Sequence, residues 1–446
     1  MMIEPTSATS KLAPHASLGI SAKSSNAKSL KSQTEIDADK SKNKKIRYEL
    51  QRHSQSLFYD RNAIKQHRVC SCHRNLTGDS IAIFRKVDQS EARIAGLVSC
   101  GSAWVCPICN AKITEARREQ MQQAITAHSK AGGSCLLMTN TFPHEIDLPL
   151  DEGLSKFAMA LDHWKNSRTY KRIFGTSLAS IQYAETRGKP LKKVTKGEFP
   201  IVGSVRSLEV THGSNGWHPH THQVLFMQDE SLLNSRRAID ELVESWCVSL
   251  IHAGLGDNSK LNDMLTHALD IRGGDYTADY VNKFGREPEL YNGWTIAHET
   301  TKANSKAGFR NLNGDFHATP FQLLKMSLEG DEKAGALFLE FGRCFEGKRM
   351  NYWTNGLKDF FSLNDLDDED LAAESAEVEV EEEVVLYLNA EEWRLVLKTN
   401  ARGELIEAAR IGGKDAVMEL LDILPYIKHS HSGAYSVNRP KGQWVN

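Results

Sequence analysis

The sequence predicts an α+β protein in which helices flank a central antiparallel sheet. Residues 201–210 and 217–226 alternate between apolar and polar side chains around an Asn-Gly turn signal, as in an antiparallel hairpin. Charged stretches with helical periodicity lie on either side, at 111–130 and 317–362. Helices of this kind bury one stripe against a sheet, so we expect the hairpin at the centre.

Composition is that of a globular protein. The chain has 446 residues, of which 40% are hydrophobic and 25% are charged. No apolar run reaches the roughly 18 residues of a membrane-spanning helix, and the Ser/Lys-rich N-terminus lacks the apolar region of a secretory signal. We therefore expect a cytoplasmic protein with no membrane partner, whose eight cysteines are reduced. Reduced cysteines favour metal ligation over disulfides.

The formal net charge of −2 conceals a segregation of charge along the chain. Residues 365–383 hold 11 acidic residues and no Lys or Arg. Residues 1–364 hold 47 basic and 39 acidic residues, a net charge of +8. The basic front of the chain is compatible with a polyanionic partner, although charge alone does not identify one.

Shifts in composition divide the chain into six predicted segments. The first has almost no large apolar residues and cannot bury enough surface to offset the entropy of ordering. The pair Gly132-Gly133 ends the helix of the second, and a strand in CLLMTNTF begins the third. The six are a disordered tail (1–45), a cysteine-rich segment and helix (46–132), the sheet domain (133–300), a helical extension (301–362), a solvated acidic linker (363–384) and a C-terminal appendage or surface for another protein (385–446).

Three histidines share one face of the second hairpin strand, in His218-Pro219-His220-Thr221-His222. Alternate residues of a strand lie about 6.5–7 Å apart, so two of these imidazoles can grip a divalent ion. Glu209 on the preceding strand would add a hard oxygen ligand, a mixture suited to Mg²⁺ or Mn²⁺. The alternative is a histidine-rich hairpin face that binds no metal.

A second pattern combines two tyrosines and a lysine, in Tyr276-Thr-Ala-Asp-Tyr280-Val-Asn-Lys283. Positions i, i+4 and i+7 share one face of a helix. A phenol can attack phosphorus to leave a phosphotyrosine, and a nearby ammonium would lower the phenol pKa or neutralise the phosphate. The same spacing is common in core packing, and Asp279 with Lys283 also suits a solvated ion pair.

The third pattern is a set of cysteines in the second segment. Cys106-Pro-Ile-Cys109 is the type of tight turn that holds Zn²⁺ through two thiolates. Cys70 and Cys72 would complete a tetrahedral structural site, with Cys100 as a competing ligand. No βαβ pattern surrounds the Cys-x-x-Cys, which disfavours a thioredoxin-like redox role. The isolated cysteines, expected to be buried apolar residues, are Cys135, Cys247 and Cys344.

These elements, in this order, resemble the HUH endonuclease superfamily and, within it, the rolling-circle plasmid replication initiators. The resemblance covers roughly residues 46–362. It rests on a Thr-x-Thr strand (LLMTNTFPH), then WHPHTHQVLF, then YxxxYxxK. The segments CGSAWVCPICNAKI, TPFQLL, KRMNYW and GLKDFF are also similar to that family.

The resemblance implies an HUH endonuclease-like fold and metal-dependent, site-specific nicking and strand transfer on DNA. The DNA partner would be a plasmid double-strand origin, single-stranded or in a hairpin. His220 and His222 would hold the cation, Glu209 would be the third ligand, and His218 would be auxiliary.

The resemblance also implies that Tyr280 contacts the DNA and attacks the nicked phosphate, with Lys283 beside it. The freed 3′-hydroxyl would prime a host polymerase, with a host helicase as a further partner. Many plasmid initiators carry an acidic residue where this chain has Tyr276, so either Tyr276 or an activated water would terminate the cycle.

Other functions fit the same patterns. A transposase or mobilisation relaxase would use the same chemistry on a different DNA. A non-enzymatic, zinc-containing DNA-binding regulator would need no phenol. A metallohydrolase acting through activated water would leave no covalent adduct with DNA.

Overall fold

The computed structural model describes residues 33–273, 309–310, 316–373, 381–429 and 435–437. None of the helices in these ranges is both long and apolar enough to cross a bilayer. The helices are α1 (Gln33–Phe58), α2 (Pro107–Lys130), α3 (Leu150–Asn166), α4 (Arg168–Phe174), α5 (Leu178–Thr186), α6 (Arg236–His252), α7 (Leu261–His267), α8 (Pro320–Leu328), α9 (Glu332–Phe345), α10 (Leu357–Phe360), α11 (Asp368–Ala373), α12 (Ala390–Lys398) and α13 (Arg402–Ile423). The strands are β1 (Ser80–Lys86), β2 (Ala92–Ala95), β3 (Ser134–Asn140), β4 (Ile201–Gly213), β5 (Gly216–Met227), β6 (Leu269–Arg272), β7 (Phe309–Arg310), β8 (Phe316–His317), β9 (Asn351–Trp353), β10 (Glu382–Asn389), β11 (Ile427–His429) and β12 (Tyr435–Val437).

A five-stranded antiparallel sheet in the order β6-β3-β5-β4-β9 forms the centre of the fold. The long hairpin of β4 and β5 turns at Ser214-Asn215, between the paired residues Gly213 and Gly216. Gly216 has a φ of +84°, a left-handed conformation that favours glycine after the turn. The histidine strand β5 is thus in the middle of the sheet, and the predicted fold class is confirmed.

Alternating side chains give the sheet two buried faces. On one face, Leu136 and Leu225 share a core cluster with Trp164 of α3. On the other, Leu137 and Val224 share a cluster with Ile125 of α2. Residues on neighbouring strands that lie opposite each other point to the same face. The histidine side chains of β5 are in register with Val224, so they belong to the α2 face, beyond its apolar part.

The C-terminal segment completes the N-terminal one rather than forming an appendage. β10 pairs with β1 along seven residues of β1, giving a second sheet in the order β10-β1-β2. Ile81 of β1, Leu388 of β10, Trp393 of α12 and Leu405 of α13 lie in one buried cluster. The two segments are distant in sequence, and the shared core explains why they lie together.

Three other segments differ from the predictions. α1 begins at Gln33, so residues 33–45, predicted to be disordered, are helical, and the rest of that predicted tail lies outside the described residues. Lys45 of this helix pairs with Glu404 at 2.6 Å, a contact between distant segments that composition does not reveal. The predicted acidic linker contains α11 and the start of β10, and its carboxylates pair with cations elsewhere in the chain. The predicted helical extension also contains a strand, β9, at the edge of the central sheet.

Two candidate metal centres

A carboxylate and two imidazoles converge on the central hairpin. Glu209 of β4 lies directly opposite His220 of β5. The Glu209 Oε2 atom lies 3.7 Å from His220 Nε2 and 3.4 Å from His222 Nε2. The three ligand atoms lie within 4.8 Å of one another, close enough to hold one metal ion. One oxygen and two nitrogen donors suit a divalent cation of the Mg²⁺ or Mn²⁺ type. We call these three residues the hairpin triad.

Two threonines, Thr139 of β3 and Thr141 just after it, contact the histidines. Thr139 lies opposite His222, and its Oγ1 is 3.0 Å from His222 Nδ1. A proton on Nδ1 donated to this hydroxyl leaves the Nε2 lone pair directed towards Glu209. Thr141 Oγ1 lies 2.7 Å from Nε2 of His218. In the sequence, the Thr-x-Thr pattern indicates only a strand and a family. The β3–β5 register places Thr139 against His222, and Thr141 reaches His218 from the residue that follows β3.

His218 lies beside the hairpin triad rather than in it. Its ring stacks on His144, with centroids 4.4 Å apart. Desolvation by the surrounding protein, followed by the neighbouring imidazoles of His220, His144 and His317, holds the pKa of His218 well below its usual range. A neutral ring that already bonds Thr141 is consistent with the auxiliary position that the family resemblance implies for His218.

The predicted nucleophile and its neighbours, Tyr276, Tyr280 and Lys283, lie outside the described residues. The described chain approaches them through β6, which pairs with β3. Within β6, Asp270 lies opposite Thr139, the residue that bonds His222.

Four buried cysteines form the second centre, at the N-terminus of α2. The Sγ atoms of Cys72 and Cys106, of Cys72 and Cys109, and of Cys100 and Cys109 are each 3.6 Å apart. A tetrahedral zinc site with bonds of about 2.3 Å holds its sulfurs about 3.8 Å apart. The spacing and the complete burial of the set therefore fit a closed, four-coordinate metal ion. We call it the cysteine cluster.

The cysteine cluster corrects the predicted ligand set at one position. Cys70, predicted as a ligand, lies outside it, and Cys100, predicted as a competitor, takes the fourth place. Cys70 belongs to the 3₁₀ turn Arg68–Ser71, which Cys72 follows, and its Sγ lies 3.6 Å from the backbone oxygen of Gln55. Residues two apart around such a tight turn point in different directions, so both thiols cannot face one ion.

Polar side chains of α1 and α13 surround the cysteine cluster. Gln51 Nε2 donates to Cys106 Sγ at 3.4 Å. Gln55 Nε2 donates to the backbone oxygen of Cys72 at 2.8 Å. Arg402, only 2% exposed, donates from Nη1 to Gln51 Oε1 at 2.6 Å. These contacts orient the ligands and connect the C-terminal segment to the cluster. No local motif marked Arg402 in the sequence.

The remaining cysteines lie apart from the cluster. Cys135 and Cys247 are buried in the cores on the two faces of the central sheet, and Cys344 is half-buried. Burial raises the pKa of Cys135 to about 12 and that of Cys247 to about 11. Such thiols are protonated at neutral pH and pack as small apolar groups.

Two curated proteins are similar to this chain. It is 26% identical over 319 residues to "Protein rep" of Streptomyces lividans, an alignment that covers 62% of this chain and 66% of that protein. It is 25% identical over 152 residues to "Neomycin resistance protein" of Streptomyces cyanogenus, covering 33% of this chain and 35% of that protein. The chain thus spans slightly less than two thirds of the first relative and about a third of the second. No protein-family model and no solved structure matches it. The chain is therefore similar to a Rep protein over more than half of its own length.

Proposed function

We propose that the protein initiates rolling-circle replication of a plasmid by nicking one DNA strand and transferring it through a 5′-phosphotyrosine intermediate. The observation that carries the proposal is the hairpin triad, where one carboxylate and two imidazoles meet on the middle strands of the sheet. The similarity to "Protein rep" supports the replication role.

The chemistry of the hairpin triad suits activation of a phosphate. Glu209, His220 and His222 would hold Mg²⁺ or Mn²⁺, which when bound supplies Lewis-acid polarisation of the scissile phosphate. Three protein ligands leave coordination positions for phosphate oxygens. Thr139 fixes the ring of His222, and the 14% exposure of the His220 side chain leaves this edge accessible to DNA.

Covalent catalysis is assigned to residues outside the described ranges, on the strength of the sequence resemblance. The Tyr280 Oη would form a bond to phosphorus while the bond from phosphorus to the 3′ oxygen breaks. The phenol proton ends on the departing 3′ oxygen, which becomes the primer for a host polymerase. Lys283 would neutralise charge on the phosphate, and Tyr276 or a water would close the cycle.

The cysteine cluster would hold structural Zn²⁺. Its place at the N-terminus of α2, the helix that covers the apolar part of the histidine face, would fix that helix relative to the sheet. The cluster would therefore act on catalysis only through the shape of the fold.

Covalent attachment of DNA tests this proposal. Single-stranded fragments that tile the replicon encoding the protein are labelled at the 3′ end, incubated with Mn²⁺ and separated on a denaturing gel. We expect the label to migrate with the protein for the native chain and not for Tyr280→Phe, with DNA binding nearly unchanged, because only the nucleophilic oxygen is lost. Tyr276→Phe is the matched control and should still form the adduct.

The other outcomes separate the rival functions. Cleavage without an adduct would indicate hydrolysis by an activated water. Binding with neither cleavage nor adduct on any fragment would indicate a non-enzymatic regulator. An adduct formed at the normal rate by Tyr280→Phe would exclude this tyrosine as the nucleophile.

A further inference from the structure

A groove of about 870 Å³ lies beside the edge strand β9. Aromatic side chains line it together with cations. Grooves that combine cations with aromatic rings are typical of proteins that bind single-stranded nucleic acid, because phosphates pair with the cations and bases stack on the rings. The cations are Arg68, Arg117, Arg187, Lys348, Arg349 and Lys358, and the rings include Tyr183 and Trp353. Carboxylates line the groove too, among them those of residues 365–369.

An acidic segment of the same chain forms one wall of this groove. We call residues 364–372 the acidic strap. Three of its carboxylates pair with three of the cations that line the groove. The pairs are Asp365 Oδ1 with Lys358 Nζ at 2.6 Å, Asp368 Oδ1 with Arg117 Nη2 at 2.8 Å, and Glu369 Oε1 with Arg68 Nη2 at 2.5 Å.

The strap also lies close against the groove through its backbone. Arg117 Nη2 donates to the backbone oxygen of Leu366 at 2.9 Å, and Gln120 Nε2 donates to that of Asn364 at 3.2 Å. A Cβ built on Gly101 would lie 2.8 Å from Glu369 Cγ, so the strap contacts the main chain directly at this glycine. The strap, irregular at 364–367 and helical from Asp368, thus holds three carboxylates on the groove cations, where the phosphates of a nucleic-acid strand could lie.

The groove reaches the sheet face that carries the hairpin triad. Asn351, which lines the groove, donates from Nδ2 to Ser207 Oγ at 2.6 Å. Ser207 lies opposite His222 in the β4–β5 register. A strand bound in the groove would therefore lie two strands away from a ligand of the hairpin triad, along one row of the sheet.

We propose that this groove binds single-stranded DNA and that the acidic strap is an internal competitor that occupies three of its cations when DNA is absent. The choice of DNA as the polyanion rests on the proposed function. The three ion pairs are partly solvent-exposed, with side-chain exposures from 11% to 83%, so the strap is held weakly enough to exchange for a longer polyanion. Once the carboxylates have left, the phosphates of DNA can pair with the same arginine and lysine side chains.

Equilibrium binding tests the competition. Anisotropy of a labelled 30-nucleotide single-stranded DNA of mixed sequence is measured in EDTA at fixed salt, so that no cleavage occurs. We expect the triple variant Asp365→Asn, Asp368→Asn, Glu369→Gln to bind about tenfold more tightly than the native chain, since three competing pairs are removed. The matched control makes the same change of charge at exposed residues that do not line the groove, and its Kd should change less than about twofold. The control substitutions are Asp79→Asn, Asp263→Asn and Glu419→Gln.

The groove cations are tested by the double variant Arg117→Gln, Lys358→Gln, which should bind the same DNA about tenfold more weakly.

Hydrogen exchange on the native full chain is a readout that needs no variant. Addition of DNA should speed exchange of the amides at 365–371, because the strap leaves the groove.

Each result decides the proposal. Equal Kd values for the strap variant and its control, or unchanged exchange in the strap at saturating DNA, would overturn the competition. Native affinity in the double variant would overturn the groove as the DNA site. Absence of nicking alongside the expected Kd values would contradict the proposed function and leave the groove proposal standing.

Discussion

The two candidate metal centres differ in donors, burial and support. The cysteine cluster presents four buried sulfur ligands at tetrahedral spacing. The hairpin triad presents one oxygen and two nitrogens, and His220 keeps part of its surface exposed. Closed sites with four soft ligands are structural, whereas sites with three ligands and an open side are catalytic. One chain therefore combines a centre suited to holding shape with a centre suited to chemistry.

The two centres also differ in the elements that hold their ligands in place. Side chains of α1 and α13, which are far apart in sequence, form hydrogen bonds to the cysteine cluster or to each other beside it. Loss of the metal should therefore loosen several segments. The hairpin triad stands on one hairpin and one neighbouring strand. Its ligands should therefore be replaceable without unfolding, which makes the two centres separable by mutation.

The largest expected effect is on the cysteine cluster. Cys72→Ser should remove the metal and lower the free energy of unfolding by several kcal/mol, because structural zinc contributes on the order of 10 kcal/mol to small metal-dependent folds. Cys106→Ser and Cys109→Ser should behave alike. Cys70→Ser is the matched control and should keep about one zinc per chain, as should Cys135→Ser. Metal content and thermal unfolding give the readout. Equal metal loss in Cys70→Ser and Cys72→Ser would show that Cys70 is a ligand after all.

The second largest effect is expected for the histidines of the hairpin triad, whose replacement should reduce DNA cleavage but leave the protein folded. His220→Ala and His222→Ala should each raise the Mn²⁺ concentration for half-maximal nicking by about 100-fold or more, because a site reduced to two ligands binds a divalent ion poorly. His218→Ala should have a smaller effect, since this ring lies beside the triad. All three should retain native zinc content. If nicking by His222→Ala depends on Mn²⁺ concentration as it does in the native chain, His222 is not a metal ligand.

The smallest effect concerns Thr139, a positioning residue. Thr139→Val removes the hydroxyl that bonds His222 Nδ1 and should weaken metal affinity about 10- to 100-fold. Thr139→Ser should restore it, because the hydroxyl returns. The readout is again nicking against Mn²⁺ concentration. If Thr139→Val and Thr139→Ser give the same curve, the threonine serves packing only.

Local patterns in the sequence predict the hairpin, the position of Glu209 near the histidines and the end of α2. The alternation at 201–226 and the Asn-Gly signal predict the hairpin and place Glu209 near the histidines, and the described register puts Glu209 opposite His220. Helix α2 ends within two residues of the predicted glycine pair. These features depend on periodicity and turn chemistry, which act over a few residues.

Long-range pairing accounts for what the sequence did not predict. β10 pairs with β1 across about 300 residues, and β9 is only three residues long, so neither has a local signal. The choice of Cys100 over Cys70 depends on the direction of a thiol in a tight turn rather than on spacing. The acidic strap has the composition of a solvated linker, and its contacts with Arg68 and Arg117, about 250 to 300 residues away in sequence, show that it is docked.

The most direct measurement follows nicking and zinc content together during chelation. The purified native chain is briefly dialysed against EDTA, assayed for the covalent DNA adduct, then assayed again after addition of Mn²⁺, with zinc quantified at each stage. We expect the adduct to disappear and return while zinc stays at about one per chain, because the hairpin triad has three ligands and a partly exposed histidine, whereas the cysteine cluster has four buried ligands. Adduct formation that persists in EDTA, or that is lost and regained only together with zinc, would contradict the separation of a catalytic from a structural centre.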